Sequence, residues 1–358
     1  MTTDDSGVPA RQAAPLFYMP FPPGLNPAMN ESRQQMEAWS DKHGLRPTTE
    51  ARRQREKSRP ELYIARSFPD AASDSLTLIT EWIEWGFVID DELDDGPLGR
   101  CVAHCATAVA DLLAALDEPS PAGTPIARAG QDLWRRTLPG RSTAWLRRLH
   151  SDIQAWLWTY HTETVQRATG YVPDIEEYRI HCRNAAGMLW FMDLYELAVN
   201  VDMPDSIAFL PSFTAMRLAA VEHAAFLNDI LSIPKESPLG IFHNAVTIFI
   251  RRDEMTADAA VAAVNDLTTQ CVHRYMAARR AFDDEIRHVP GPPDLKHGAT
   301  RCADGIAALM RGIHDWHLEV DRYRTIVAPP EKPDYLTGAF QSHRTAAAAG
   351  DPWPGSRR

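Results

Sequence analysis

Several things are scarce in this 358-residue chain, and each absence removes a class of protein. No convincing alternation of apolar and polar residues occurs, and no Asn-Gly or Asp-Gly hairpin signal, so a β-sheet framework is not expected. There is no run of eighteen or more apolar residues, and no basic segment followed by an apolar one near residue 1. Neither a membrane span nor a secretory signal is therefore expected. Cysteine is sparse, odd in number and scattered (Cys101, Cys105, Cys182, Cys271, Cys302), which suits a reducing, cytoplasmic setting better than a disulfide framework. Cys101, His104 and Cys105 sit in an Ala-rich helical pattern without a second ligand pair, and read as helix packing rather than zinc ligands. Positive charge is in deficit, with 37 Lys and Arg against 48 Asp and Glu, a formal net charge of -11. Nucleic acid and anionic membrane surfaces are thus unsuited as main partners. A small anionic ligand would need metal or local Arg and Lys to supply positive charge.

What is present is helix signal, almost without interruption. The 44% hydrophobic content is ample for a sizeable core. Residues 1–15 are polar and small and are expected to be disordered. Phe17 to Pro27 holds four Pro, cannot be helix, and is expected to lie as an aromatic strap across the body. Asn30 is placed to cap a helix through Trp39. Further helices are expected over 74–95, stopped by Gly96-Pro97, and over 98–117, 142–169, 175–200, 204–233, 239–251, 256–288 and 300–326. In the span 142–169 Trp145, Leu149, Ile153, Trp156 and Tyr160 recur at three- and four-residue spacing as one buried face. Pro173-Asp174 with Glu177 reads as a capping box. The fold class is therefore all-α: a single-domain bundle of roughly ten helices over 16–327, with a flexible tail over 328–358.

The stretch Trp82 to Asp95 organises the rest. An oily run ends in five acids out of six residues, Asp90 to Asp95, at the negative end of a helix dipole. Asp90 with Asp94, and Asp91 with Asp95, repel at i, i+4, each pair costing about 0.2–0.5 kcal/mol. A cation is needed there, and dense hard carboxylates suit Mg²⁺. A solvated acidic helix end is the simpler reading, but Trp82, Ile83, Gly86 and Phe87 share a face with Asp90 and would be exposed with it. Later in the chain Asn228, Ser232 and Glu236 stand at i, i+4 and i+8, an amide, a hydroxyl and a carboxylate lining one face and interrupting an apolar helix. Pro234 should kink or unwind that helix between Ser232 and Glu236.

Asp-Asp-x-x-Asp at Asp90, Asn-Asp-x-x-Ser-x-x-x-Glu about 140 residues later, and Trp316 followed six residues on by Arg322-Tyr323 together resemble the bacterial class I terpene synthases. The likeness covers about residues 17–326, and the combination of motifs in that order is highly specific. It implies the class I terpenoid synthase α-helical bundle, with three Mg²⁺ ions holding a prenyl diphosphate at its mouth, and a homodimer as a frequent assembly. By this resemblance the metal ligands are drawn from Asp90, Asp91, Asp94, Asn228, Ser232 and Glu236, with Asp94 and Asp95 both open as the later acid. Arg183 would sense diphosphate, and Gly187 would break its helix to present a carbonyl. Ala186, just before it, stands where many relatives have a polar linker. Lys235, Arg322 and Tyr323 would donate to the diphosphate.

Trp82, Phe87, Phe226 and Trp316, on the motif helices, are candidate cavity walls that would stabilise a carbocation through their ring faces. Gly86, one turn before Asp90, either deepens the pocket toward a C20 substrate or allows close helix packing. His223 reads as a core residue. The expected activity is cyclisation of farnesyl diphosphate to a sesquiterpene with loss of diphosphate. A diterpene synthase using geranylgeranyl diphosphate is the alternative within the class, and a noncatalytic helical scaffold the alternative outside it. A chain-elongating prenyltransferase would need a second Asp-rich motif. A di-iron oxidase would need paired Glu-x-x-His motifs, of which only Glu285 to His288 has the spacing.

Overall fold

The computed structural model describes residues 15–117, 123–236, 243–323 and 337–341, with Asp95, Lys235 and Thr337 described by backbone alone. Every regular element among them is helical. In chain order they are α1 Met29–His43, α2 Thr49–Ser58, α3 Pro60–Ser67, α4 Ser73–Asp90, α5 Val102–Asp117, α6 Pro125–Thr137, α7 Thr143–Thr169 and α8 Ile175–Ala185. There follow α9 Met188–Ala198, α10 Asp205–Ala208, α11 Pro211–Leu231, α12 Ile233–Glu236, α13 Ala245–Arg252, α14 Ala257–His288 and α15 Pro293–Glu319.

Local chemistry sets most starts and stops. Thr48, Thr124, Ser142 and Thr256 each accept the orphan N–H of the third helical residue through the side-chain hydroxyl. The Asp174–Glu177 capping box forms as the spacing predicts. Asn30 is not a cap. Helix α1 begins at Met29, and the nearby side chain that accepts a backbone N–H is Asn26, bonding Ala28 N at 2.9 Å. Buried Asn26 also donates to the carbonyls of Phe68 and Ala71, so it ties the Pro-rich strap to the end of α3. The strap continues over α14 and α15, where Asn265 and Arg311 donate to the Leu16 and Phe21 carbonyls.

Several spans that periodicity read as continuous divide, the first of them at the glycine where the resemblance implied a break. The segment 175–200 breaks at Gly187, whose φ of 65° belongs to the left-handed region, leaving α8 and α9. Pro211 starts α11 afresh after α10, and α15 begins at Pro293, earlier than expected. Helix α4 stops at Asp90, and the acidic residues Asp91–Asp95 form a wider π-type turn. That turn is held by close backbone approach: a Cβ on Gly99 would lie 1.6 Å from the Leu93 carbonyl oxygen. Helix α11 ends at Leu231, and Pro234 sits inside the short α12. In the C-terminal stretch expected to be flexible, Thr337–Phe340 forms a 3-10 turn against α6, with Ala339 buried.

Packing is strongest where α11 lies along α14, and α4 is enclosed by α1, α3, α6 and α9. One large apolar cluster gathers Trp82, Trp85, Trp145, Trp156, Trp190 and Phe191; a second joins Phe17, Tyr178, Phe226 and Val246. The long axis of α4 thus delivers its C-terminal acids opposite the C-terminal end of α11. No helix among the described residues is long and apolar enough to cross a membrane.

Candidate active site

A cavity opens between the ends of α4, α7, α8, α11 and α15, polar at its mouth and apolar below. Asp90 and Asp94 stand on one side of the mouth and Asn228, Ser232 and Glu236 on the other, with Arg322 and Tyr323 entering from the 3-10 turn Asp321–Tyr323. Ile83, Gly86, Phe87, Trp156, Trp190 and Phe191 line the hydrocarbon part, with Tyr63 and Trp316 stacked on each other at 4.9 Å. Gly187 and Met188, at the break between α8 and α9, complete it.

The two acids of the Asp90–Asp91 pair separate in role. Asp91 is buried and does not line the cavity: it accepts from Arg46 Nη1 at 3.1 Å and from Arg322 Nη1 at 2.7 Å. Asp91, a candidate metal ligand from the sequence, is thus set back from the cavity and bound by two guanidiniums. Arg46, wholly buried, binds Glu84 with a second edge, at 3.0 and 3.3 Å. Asp90 faces the cavity, accepting from the Tyr160 hydroxyl at 3.1 Å and from Arg322 Nη2 at 3.0 Å. Burial, reinforced by the Asp90 charge, pushes the Tyr160 phenol well above its ordinary range, so it remains a donor. Arg167 approaches Asp94, bonding its carbonyl at 3.2 Å.

The opposite side joins one carboxylate, Glu236, to neutral donors and acceptors. Asn228 Nδ2 donates to His317 Nε2 at 3.2 Å and to the Tyr323 hydroxyl at 3.1 Å. Asn244 caps α13 with its oxygen and spends its Nδ2 on the Asp229 carbonyl and on Glu236 Oε2. Asp229 is buried beneath, accepting from Tyr178 and from Ala245 N; burial, with Glu236 nearby, drives its carboxyl well above the carboxylate range. Ser232 is 1% exposed, and its Oγ has no hydrogen-bond partner among the described residues. A buried hydroxyl left so costs about 1–3 kcal/mol, and it stands in sequence between Asn228 and Glu236, which also line the cavity.

Three other expected residues lie elsewhere. Trp82 packs behind Trp190 and donates to Thr137 Oγ1 at 3.0 Å, so it is core and not wall. Phe226, fully buried on α11, belongs to the second apolar cluster and does not line the cavity, as Ala224, Ala225 and Asn228 do. Arg183 points away from the cavity, because its helical phase on α8 directs it to Glu222, which it meets at 2.9 and 2.8 Å. Glu222 also holds Arg179 and Arg274. Gly86, Phe87, Gly187, Trp316, Arg322 and Tyr323 do line the cavity; the Lys235 side chain lies outside the described residues.

Sequence reasoning missed Arg46, Tyr63, Tyr160, Asn244 and His317. Tyr160 and Trp156 had a signal, since their spacing on α7 marked a buried face, but that face abuts the cavity as well as the core. Arg46 and Asn244 had none. Their roles come from chain segments brought together only in three dimensions.

Among the described residues no three His, Cys, Asp or Glu side chains form a protein-only metal cage. The donors are instead oxygens split between two walls, an arrangement that suits a hard cation completed by ligand phosphate oxygens. An all-helical bundle with such a divided oxygen site above an aromatic cavity defines the class I terpenoid synthase fold. The family model described as terpene synthase family 2, C-terminal metal binding, matches residues 81–274. A (2Z,6E)-hedycaryol synthase from Kitasatospora setae is 32% identical over 310 residues, covering 86% of this chain and 92% of its own length. A pentalenene synthase from Streptomyces avermitilis is 27% identical over the same shares. The solved structure of hedycaryol synthase in complex with nerolidol superposes with a TM-score of 0.76 at 30% identity, covering 85% of this chain and 100% of that one. The chain belongs to the bacterial class I terpene synthases, metal-dependent lyases that act on prenyl diphosphates.

Proposed function

We propose that this enzyme binds farnesyl diphosphate with three Mg²⁺ ions, ionises it and cyclises the C15 chain to a sesquiterpene. The observation that carries the reading is the orphaned Ser232 hydroxyl, set between Asn228 and Glu236 across the mouth from Asp90 and Asp94. Asp90, with Asp94, would hold metal on one wall, and Asn228, Ser232 and Glu236 on the other. When bound, the metal ions neutralise the diphosphate charge that grows as the C–O bond stretches.

The protein's own groups do the rest. Arg322 gives up contacts with Asp90 and Asp91 to donate to the leaving diphosphate, and Tyr323 and Lys235 add donors beside it. The walls Phe87, Trp316, Trp156 and Trp190 exclude water and offer ring faces to the carbocation, each worth about 2 kcal/mol when desolvated. The bend at Gly187 sits at the base of these rings. Substrate length follows from the floor: a Cβ on Gly86 would stand 3.3 Å from Trp190 Cζ2, so the space vacated by this glycine is filled by an indole. That supports a C15 rather than a C20 chain, as does the relationship to sesquiterpene synthases.

The test is incubation of purified protein with C10, C15 and C20 prenyl diphosphates, with Mg²⁺ or with EDTA, and analysis of the extract by gas chromatography and mass spectrometry. A Mg²⁺-dependent cyclic C15 product is expected. Turnover of only the C20 substrate would overturn the chain length, and no turnover by folded protein would overturn the activity.

A further inference from the structure

The side-chain amide of Asn228 is a ligand with an ambiguity: either its oxygen or its nitrogen can face the cavity, and only the oxygen can hold a cation. His317 resolves it. This ring is buried on α15, and its Nδ1 lies 2.8 Å from the Ile313 carbonyl, an atom that can only accept. With Nδ1 thereby the donor, Nε2 presents a lone pair toward Asn228 at 3.2 Å. The amide must answer with its NH₂ group, whose second hydrogen meets the Tyr323 hydroxyl at 3.1 Å. Oδ1 is left as the atom turned to the mouth. The ring itself is fixed by a stack on Tyr323 at 4.6 Å and an edge contact with Trp316 at 4.7 Å.

We propose that His317 is a positioning residue: by accepting from the Asn228 amide it directs Oδ1 to the metal, and through Tyr323 it joins that ligand to the Arg322-Tyr323 turn. His317 faces the cavity, yet on this reading its Nε2 is engaged with Asn228 and is not the base that ends the reaction. The inference rests on Asn228 being a metal ligand as proposed above.

The experiment measures Mg²⁺ binding calorimetrically in the presence of inorganic pyrophosphate, without turnover, for the wild type, His317→Phe, His317→Leu, His317→Gln, Asn228→Ala and the double variant Asn228→Ala/His317→Phe. Phe keeps the stack and loses the acceptor; Leu tests the same loss in a smaller side chain should Phe not be accommodated; Gln retains an acceptor oxygen. Binding by the Phe or Leu variant is expected to weaken about 10–100-fold, the usual cost of losing a partner that orients a ligand. Gln should recover most of it, and in the Asn228→Ala background the Phe substitution should add nothing. Wild-type binding in the Phe and Leu variants, or additive losses in the double variant, would overturn the inference. Failure of the wild type itself to bind Mg²⁺ with pyrophosphate would instead sink the metal reading on which it stands.

Discussion

The two walls of the cavity mouth are made of similar atoms and are held in opposite ways. The α4 wall is ionic and already satisfied: Glu84, Asp91 and Asp90 are threaded by Arg46 and Arg322 into one continuous chain of ion pairs. The α11 wall is largely neutral, with the Asn228 and Asn244 amides each held by two or more hydrogen bonds and the Ser232 hydroxyl buried without a partner among the described residues. A buried charge cannot wait for its ligand, because an uncompensated ion in a low-dielectric interior costs several kcal/mol, whereas a hydroxyl can wait at about a third of that. The α4 wall is neutralised by the guanidiniums of Arg46 and Arg322, and on the proposed function Arg322 would be redistributed when metal and diphosphate bind. On the α11 wall the amides are already oriented by hydrogen bonds, including one from Asn244 to Glu236.

This contrast can be broken by substitution, beginning with the largest expected effect. Arg46→Met leaves Glu84 buried beside Asp91 with its main partner gone; a loss of about 3–5 kcal/mol is expected in urea unfolding, and a loss under 1 would show the ionic chain to be ornamental. Asp90→Asn removes a cavity-facing carboxylate but no buried anchor. Its kcat for the C15 substrate should fall on the order of 10²–10³-fold while the protein unfolds near the wild-type midpoint. An unaltered kcat would remove Asp90 from the reaction.

Acid should act on the other wall. His223 on α11 and His317 on α15 are both pushed down to about 3 by burial, with neighbouring positive or titratable groups adding to it. Since an unfolded imidazole titrates near 6.5, the unfolded chain takes up protons below that pH which the folded chain refuses. Stability from these groups is complete above about pH 6.5 and falls as pH drops toward 3, by about 1.5–2 kcal/mol for each histidine between pH 6.5 and 5. Unfolding midpoints compared at the two pH values should shrink accordingly, and His223→Phe should remove about half of the loss attributable to the pair. A slope indifferent to that substitution would contradict the assignment. The smallest effect on stability belongs to Ser232→Ala, expected within about 1 kcal/mol of the wild type or on its stable side, because no hydrogen bond is lost. The same variant should need more Mg²⁺ for half-maximal rate, and an unchanged Mg²⁺ dependence would leave the orphan hydroxyl unexplained.

Periodicity and caps, which both depend on neighbours within a few residues, were enough to read most of the long helices, though not α2, α3 or α6. The Asp174–Glu177 box, the buried face of α7 and the interruption at Pro234 all carry their cause locally. The positions of Asp90, Asn228, Ser232 and Glu236 at one mouth were legible through their motifs. Trp82 was misjudged because two residues on one helix face can be separated by a third side chain from elsewhere, here Trp190. The setting of Asp91 was not legible for a similar reason, since Arg46 arrives from the α1–α2 connection, more than forty residues away. The direction of Arg183 is set by helical phase, which a motif does not show: at about 100° per residue, its side chain turns to Glu222 and not to the cavity lined by Cys182 and Ala186.

The sequence by itself determined the all-helical class, the order of the motifs and the chemical types of oxygen available to a cation, all properties of short stretches and of residue identity. Only the tertiary structure decided which carboxylate faces the cavity and which is buried, which indoles form its floor, and which atom of Asn228 is turned outward. Those outcomes depend on contacts between residues far apart in the chain, whose directions and competing partners exist only once the helices have packed.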